Sequence, residues 1–176
     1  MSTESRHTLK YITTGKTELI PYSSSLMSAH PITVIACDIG GVIKNQVNDE
    51  PIEGAIKSVI QLSENTSNIV IFISKCKDSY KQKSNAWLAT YNLSHIRTHY
   101  CLEYDDKVKI ANDNKVNIMI DDKMQVLRTF PSSIIKIWFC SDPKKIEGAR
   151  KFQSDFINTV RIAQSWEEVL ELIEAI

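Results

Sequence analysis

From residue 32 onward, short unbroken apolar runs alternate with longer stretches whose apolar residues recur every three or four positions. The runs 32–37, 69–73, 116–120 and 134–139 are rich in Ile and Val, which predicts strands buried on both faces. After the first, Ile52, Ala55, Ile56, Val59 and Ile60 share one helical face, with Pro51 at the first helical position. Tyr80, Ser84, Trp87, Leu88 and Tyr91 mark a second helix, and residues 107–114 a third. Ile96, Thr98 and Tyr100 alternate as a short strand between these two helices. The closing helix is the clearest. Ser165 and Glu168 form a capping box, and Trp166, Val169, Leu170, Ile173 and Ile176 line one face. The run "DPKKIEGARK" reads as a solvated loop and the start of a helix.

This alternation predicts an α/β, three-layer, Rossmann-like fold with a central parallel sheet. Right-handed crossovers then bring the C-terminal end of every strand to one edge, where open α/β sheets bind ligands. Residues 31–176 form this domain. Residues 1–30 do not join the pattern. They read either as a small hairpin around Thr14-Gly15-Lys16 or as a frayed extension, followed by a Ser-rich linker at 23–25.

Composition narrows the picture without deciding it. A chain of 176 residues with 43% hydrophobic and 24% charged content suits one globular domain. Lys plus Arg and Asp plus Glu each number 21, so no overall charge draws it to nucleic acid or to a membrane surface. No apolar run reaches transmembrane length. Cys37, Cys76, Cys101 and Cys140 lack metal-site spacing and read as reduced thiols, which fits a cytoplasmic protein. His95 and His99 are four apart, but the alternation around them is that of a strand, which keeps the pair from one metal. Trp87, Trp138 and Trp166 lie in periodic apolar segments and read as core or rim packing.

The polar residues that end the strands carry the chemistry: Asp38, Ser74 and the pair Asp121–Asp122. A lone terminal Asp is ordinary loop polarity. Three carboxylates and a hydroxyl on one edge can instead hold a hard cation such as Mg²⁺, and a carboxylate there can attack phosphorus. Such a site needs a cation from the protein too, and Lys107 opens the helix that precedes the strand ending at Asp121.

In these residues the chain resembles the haloacid dehalogenase superfamily, most of whose members are Mg²⁺-dependent phosphatases. "VIACDIGGVI" is similar to the first motif, a hydrophobic strand followed by DxDGV. "IVIFIS" resembles the second motif, Lys107 falls where the third places its lysine, and "IMIDD" resembles the paired-acid form of the fourth. The likeness runs from Ile32 to Ile176. It implies that Asp38 is a nucleophile forming an aspartyl-phosphate and also a Mg²⁺ ligand. It further implies Asp122 as a direct ligand with Asp121 beside it, and the Gly40 carbonyl as another. Ser74 would bond the phosphoryl oxygens, and Lys107 would balance their charge.

Position 40 departs from the pattern. The phosphatases of the superfamily usually carry an aspartate there as general acid and base, and losing such a group costs about 10²–10⁴-fold in rate. Gly40 therefore leaves two readings. One is a phosphohydrolase acting on a phosphomonoester, restricted to acyl or aryl phosphates whose leaving groups need little protonation. The other is a catalytically silent module that binds phosphate or a partner protein. The intervals Asp38–Ser74 and Ser74–Lys107 are too short for a cap domain. Capless members similar to this chain take macromolecular phosphates or borrow a neighbouring subunit as a lid, which admits a homo-oligomer. A nucleotide is the small-molecule substrate this resemblance allows.

Overall fold

The computed structural model describes residues 31–176. The hairpin and linker expected within residues 1–30 lie outside the described residues. The elements run β1 (Thr33–Cys37), α1 (Ala55–Glu64), β2 (Asn68–Lys75), α2 (Asp78–Thr90), β3 (Arg97–Cys101) and α3 (Tyr104–Asp113). They continue with β4 (Ile118–Asp121), α4 (Met124–Leu127), β5 (Ile135–Phe139), α5 (Pro143–Phe152), α6 (Ser154–Ile157), β6 (Arg161–Ala163) and α7 (Trp166–Glu174). All strand pairings are parallel, in the order β3-β2-β1-β4-β5-β6.

Alternate strand residues feed two separate cores. Ile35, Cys37, Val70, Phe72, Ile118, Ile120, Ile137 and Phe139 pack with α1, α2 and α7. Ala36, Ile71, Ile73, Met119 and Trp138 pack with α3, α4, α5 and α6 on the opposite face. A strand buried on both faces has no polar phase to show, which is why its sequence is a continuous apolar run. The helices change faces after β3, because the chain grows outward from β1 to β3 and must then cross back to place β4 on the other side of β1. The gap between β1 and β4 is thus a topological switch point, where strand ends leave a crevice for ligands. No cap domain interrupts the described residues.

Several boundaries differ from the sequence reading for identifiable reasons. Pro51 does not open α1. It pairs with Lys44 in an isolated bridge, Asn45 N–H donates to Glu50 O at 2.8 Å and Ile52 N–H to Ile43 O at 2.9 Å, so residues 44–51 form a short hairpin. The helix begins at Ala55, after Gly54 has turned the chain at φ 73°. Helix α3 starts at Tyr104 rather than at Lys107. Asp105 and Asp106 suit its positive end, and the Asp106 carboxylate accepts from Glu103 N–H at 3.1 Å. Lys107 consequently sits one turn inside the helix. Strand β2 continues one residue past Ser74. The basic run forms the full helix α5, with Asp142 capping Lys144 N–H at 2.9 Å and Ile146 and Ala149 buried. Helix α7 ends at Glu174, leaving Ile176 exposed beyond it.

The tryptophans pack in the core and at its rim, and two of them also pin the loops at the C-terminal edge of the sheet. Trp166, fully buried at the start of α7, donates its indole N–H to Val42 O at 2.8 Å. Trp138 donates to Asp122 O at 3.0 Å. Trp166→Phe should keep the packing but strand a buried carbonyl, at a cost of about 1–3 kcal/mol in urea unfolding. Wild-type stability in that variant would show that Val42 O finds another donor.

Candidate active site

The first side chain beyond β1 is Asp38. Its N–H still follows the ladder, donating to Ile120 O at 3.0 Å, so the strand geometry delivers the carboxylate to the crevice beside β4. Asp38 Oδ1 accepts from Ile39 N–H at 2.7 Å, and Oδ2 lies 2.8 Å from Lys107 Nζ. Lys107 reaches inward from the first turns of α3 and is wholly buried. Its ammonium also donates to Asp121 Oδ2 at 2.7 Å, while Asp121 Oδ1 accepts from Lys123 N–H at 2.9 Å. One buried cation thus ties together the ends of the two strands that flank the switch point.

Charge in this pocket is unevenly matched. Burial pushes the Asp121 carboxyl up to about 7, with help from the negative Asp38 and against the pull of Lys107. Burial also raises Asp122, the nearby Asp38 charge adds to it, and Lys123 and Lys107 oppose it. Desolvation would lower the Lys107 ammonium, but Asp38 and Asp121 outweigh it and hold its pKa above the ordinary value. Asp38 and Asp121 thus share one buried ammonium, while Asp122 is offset by Lys123 from the rim. The neighbouring Cys37 thiol is held well up by burial, then by Asp38 and Asp121, which makes it a poor nucleophile.

Asp38, Asp121 and Asp122 each offer one oxygen, and these three atoms lie within 4.8 Å of one another. Asp122 Oδ1 is buried with no hydrogen-bond partner among the described residues, an expensive state for a carboxylate unless something cationic meets it. The backbone makes room for this carboxylate. Gly41 stands at φ 82°, and a Cβ there would overlap Asp122 Oδ2 and lie 2.6 Å from its Cγ. Three clustered hard oxygen donors, one of them on a carboxylate with an orphaned oxygen, fit Mg²⁺.

A cleft of about 570 Å³ opens beside the carboxylates, lined by Asp38, Gly40, Gln46, Ser74 and, among other residues, the lysines Lys75, Lys77 and Lys123. A second hollow of about 470 Å³ shares Gly40, Gln46, Ser74, Lys75 and Lys77 and adds Lys44 and Lys83. The structure therefore gathers Asp38, Gly40, Ser74, Lys107, Asp121 and Asp122 at one edge. Lys107 bridges Asp38 to Asp121, not to Asp122. The Ser74 hydroxyl lines the cleft and makes no hydrogen bond to the Asp38–Lys107–Asp121 group. Sequence reasoning missed Gly41, Gln46 and the lysine rim. The pair of adjacent glycines was the one available signal, and it points to Gly41 only once the backbone is seen.

No family model and no curated protein matches the chain. Among solved structures it is similar to a de novo designed Rossmann 3x3 fold protein determined by solution NMR, at 14% identity and a TM-score of 0.45. That alignment covers 82% of this chain and 94% of the designed one. The chain is an α/β protein with a Rossmann-like, six-stranded, all-parallel sheet, and its carboxylates stand at the switch point of that sheet.

Proposed function

We propose that the protein is a Mg²⁺-dependent phosphohydrolase of the haloacid dehalogenase-like type, acting on a phosphomonoester through an aspartyl-phosphate on Asp38. The observation that carries this reading is Lys107, fully buried and bonded to two carboxylates beside a third whose Oδ1 has no partner. Burying such a group stabilises a fold less than apolar side chains of equal volume would, so its presence at the ligand edge argues for chemistry.

Asp38, with Asp122 and the Gly40 carbonyl and with Asp121 alongside, would hold the ion, which when bound offsets charge on the phosphoryl oxygens. The Asp38 carboxylate attacks phosphorus, and the ester P–O bond breaks with its electron pair leaving on the departing oxygen. Ser74 hydrogen-bonds the phosphoryl oxygens from the β2 side. Lys107, 2.8 Å from Asp38 Oδ2, holds the carboxylate in place. Water then adds to phosphorus, the bond to Asp38 breaks, and inorganic phosphate leaves.

A second reading rests on Gly40, which offers no acid or base: a phosphate- or partner-binding module built on the same site. A panel of phosphate esters with Mg²⁺ against chelator separates the two. Asp38→Asn should abolish turnover while leaving the fold intact, because Lys107 keeps its bond to Asp121. Turnover surviving in purified Asp38→Asn would sink the aspartyl-phosphate mechanism. Mg²⁺-dependent phosphate binding without turnover in the wild type would favour the binding module.

A further inference from the structure

We propose that Gln46 fills the side-chain space of residue 40 and hydrogen-bonds the leaving-group oxygen, so that the site takes acyl and aryl phosphates in preference to alkyl ones. The proposal rests on the phosphohydrolase reading of the site and assigns a residue to its leaving-group side.

Gly40 carries no side chain, and its φ lies outside the left-handed region, so a Cβ there is conformationally ordinary. What that Cβ would meet is Gln46. Its Nε2 would be 3.4 Å away, its Cγ 3.6 Å and its Cδ 3.7 Å. A carboxamide from six residues downstream thus lies in van der Waals contact with the point from which a residue-40 side chain would start. Gln46 lines both hollows together with Ser74, and the one of about 570 Å³ together with Asp38 as well.

The turn that carries Gln46 is held firmly. The hairpin that bears it is closed by Asn45 N–H to Glu50 O at 2.8 Å and Asp49 N–H to Asn45 O at 3.1 Å. Val47 N–H donates to Asn45 Oδ1 at 2.8 Å, and the Trp87 indole on α2 donates to Asp49 O at 2.6 Å. Lys44 and Lys83 both pair with Asp49, at 2.7 and 2.8 Å, which fastens the same turn again.

A carboxamide donates two hydrogen bonds but has no proton to transfer in the working pH range. When Asp38 forms its bond to phosphorus, the leaving oxygen departs with the electron pair and no proton, its charge supported by the Gln46 N–H. A weakly basic phenolate or carboxylate tolerates that departure. An alkoxide does not, because it needs a proton as the bond breaks. Water from solvent later supplies the proton that the released anion takes up.

The test measures kcat and KM with Mg²⁺ over aryl and alkyl phosphates of graded leaving-group pKa, for wild type, Gln46→Ala and Gln46→Glu. In the wild type kcat/KM should fall steeply as leaving-group pKa rises. Gln46→Ala should lower kcat on aryl phosphates by about 10²-fold with KM little changed, the size expected for one lost oxyanion donor. Gln46→Glu places a protonatable carboxyl in the same slot and should flatten the dependence, raising the alkyl-to-aryl ratio about 10-fold or more. Gln46 is exposed, so neither variant endangers the fold. An active wild type whose kcat and leaving-group dependence are unchanged in both variants overturns the role of Gln46 alone. A wild type that hydrolyses nothing in the series overturns the phosphohydrolase reading and this assignment with it.

Discussion

Lys107→Met should destabilise the folded chain by about 3–5 kcal/mol near neutral pH, because it leaves two buried carboxylates without their cation. Methionine matches the length and apolar stem of lysine, so the loss isolates the charge. Lys107 is wholly buried and bonds Asp38 at 2.8 Å and Asp121 at 2.7 Å, and among the described residues no other cation contacts both. The deficit should depend on pH in a definite direction. Asp121 already sits near 7, above its unfolded value, so folding takes up a proton there as pH falls through that range. Without Lys107 that uptake grows, since the neutral acid then avoids an unpaired charge. The penalty should therefore be largest at pH 8 and shrink toward pH 5.5, measured by urea unfolding at both. Adding Asp121→Asn to Lys107→Met should recover part of the loss, since the two residues are in contact and their effects cannot add. A variant as stable as wild type at pH 8 would show that the carboxylates find other partners.

How much of this site could be read in the sequence depends on which physical signal each residue carries. Asp38, Ser74 and Asp121 follow apolar runs, and the end of a buried strand is marked by the first polar residue whatever the tertiary context. The sequence pattern places Lys107 at this edge but at the start of its helix, one turn too early. Its helix opens on Tyr104-Asp105-Asp106, where charge at the helix end outweighs an absent apolar periodicity. Strand β6 spans only Arg161–Ala163, too short to form a run, and Pro51 mimicked a helix start because Pro is equally at home beside a turn. Gln46 left no trace at all. It is a polar residue in a polar loop, and its nearness to Gly40 exists only because residues 44–51 fold back as a hairpin. Local pattern encodes elements. It does not encode which loop residue leans over which strand end.

The same distinction separates two adjacent glycines, and it sets the last expectation. Gly41→Ala should cost stability and abolish metal binding, whereas Gly40→Ala should do neither. At φ 82°, Gly41 occupies the left-handed region, where a Cβ costs about 1 kcal/mol. That is the smaller part of the effect. The new Cβ would overlap Asp122 Oδ2 and stand 2.6 Å from Cγ and 2.9 Å from Gln46 Nε2. Backbone and carboxylate cannot both stay, so Asp122 is pushed out of the group in which three aspartate oxygens lie within 4.8 Å. At Gly40 the added Cβ meets only the Gln46 side chain, at 3.4 Å or more. Mg²⁺ at ten times its Kd should stabilise the wild type by about 1.4 kcal/mol, and chelator should reverse the gain. Thermal unfolding with and without Mg²⁺ reads both variants against that shift. Gly40→Ala should keep it, and Gly41→Ala should lose it. Retention of the full Mg²⁺ shift in a folded Gly41→Ala protein would remove Asp122 from the ligand set and leave its orphaned oxygen without a cause.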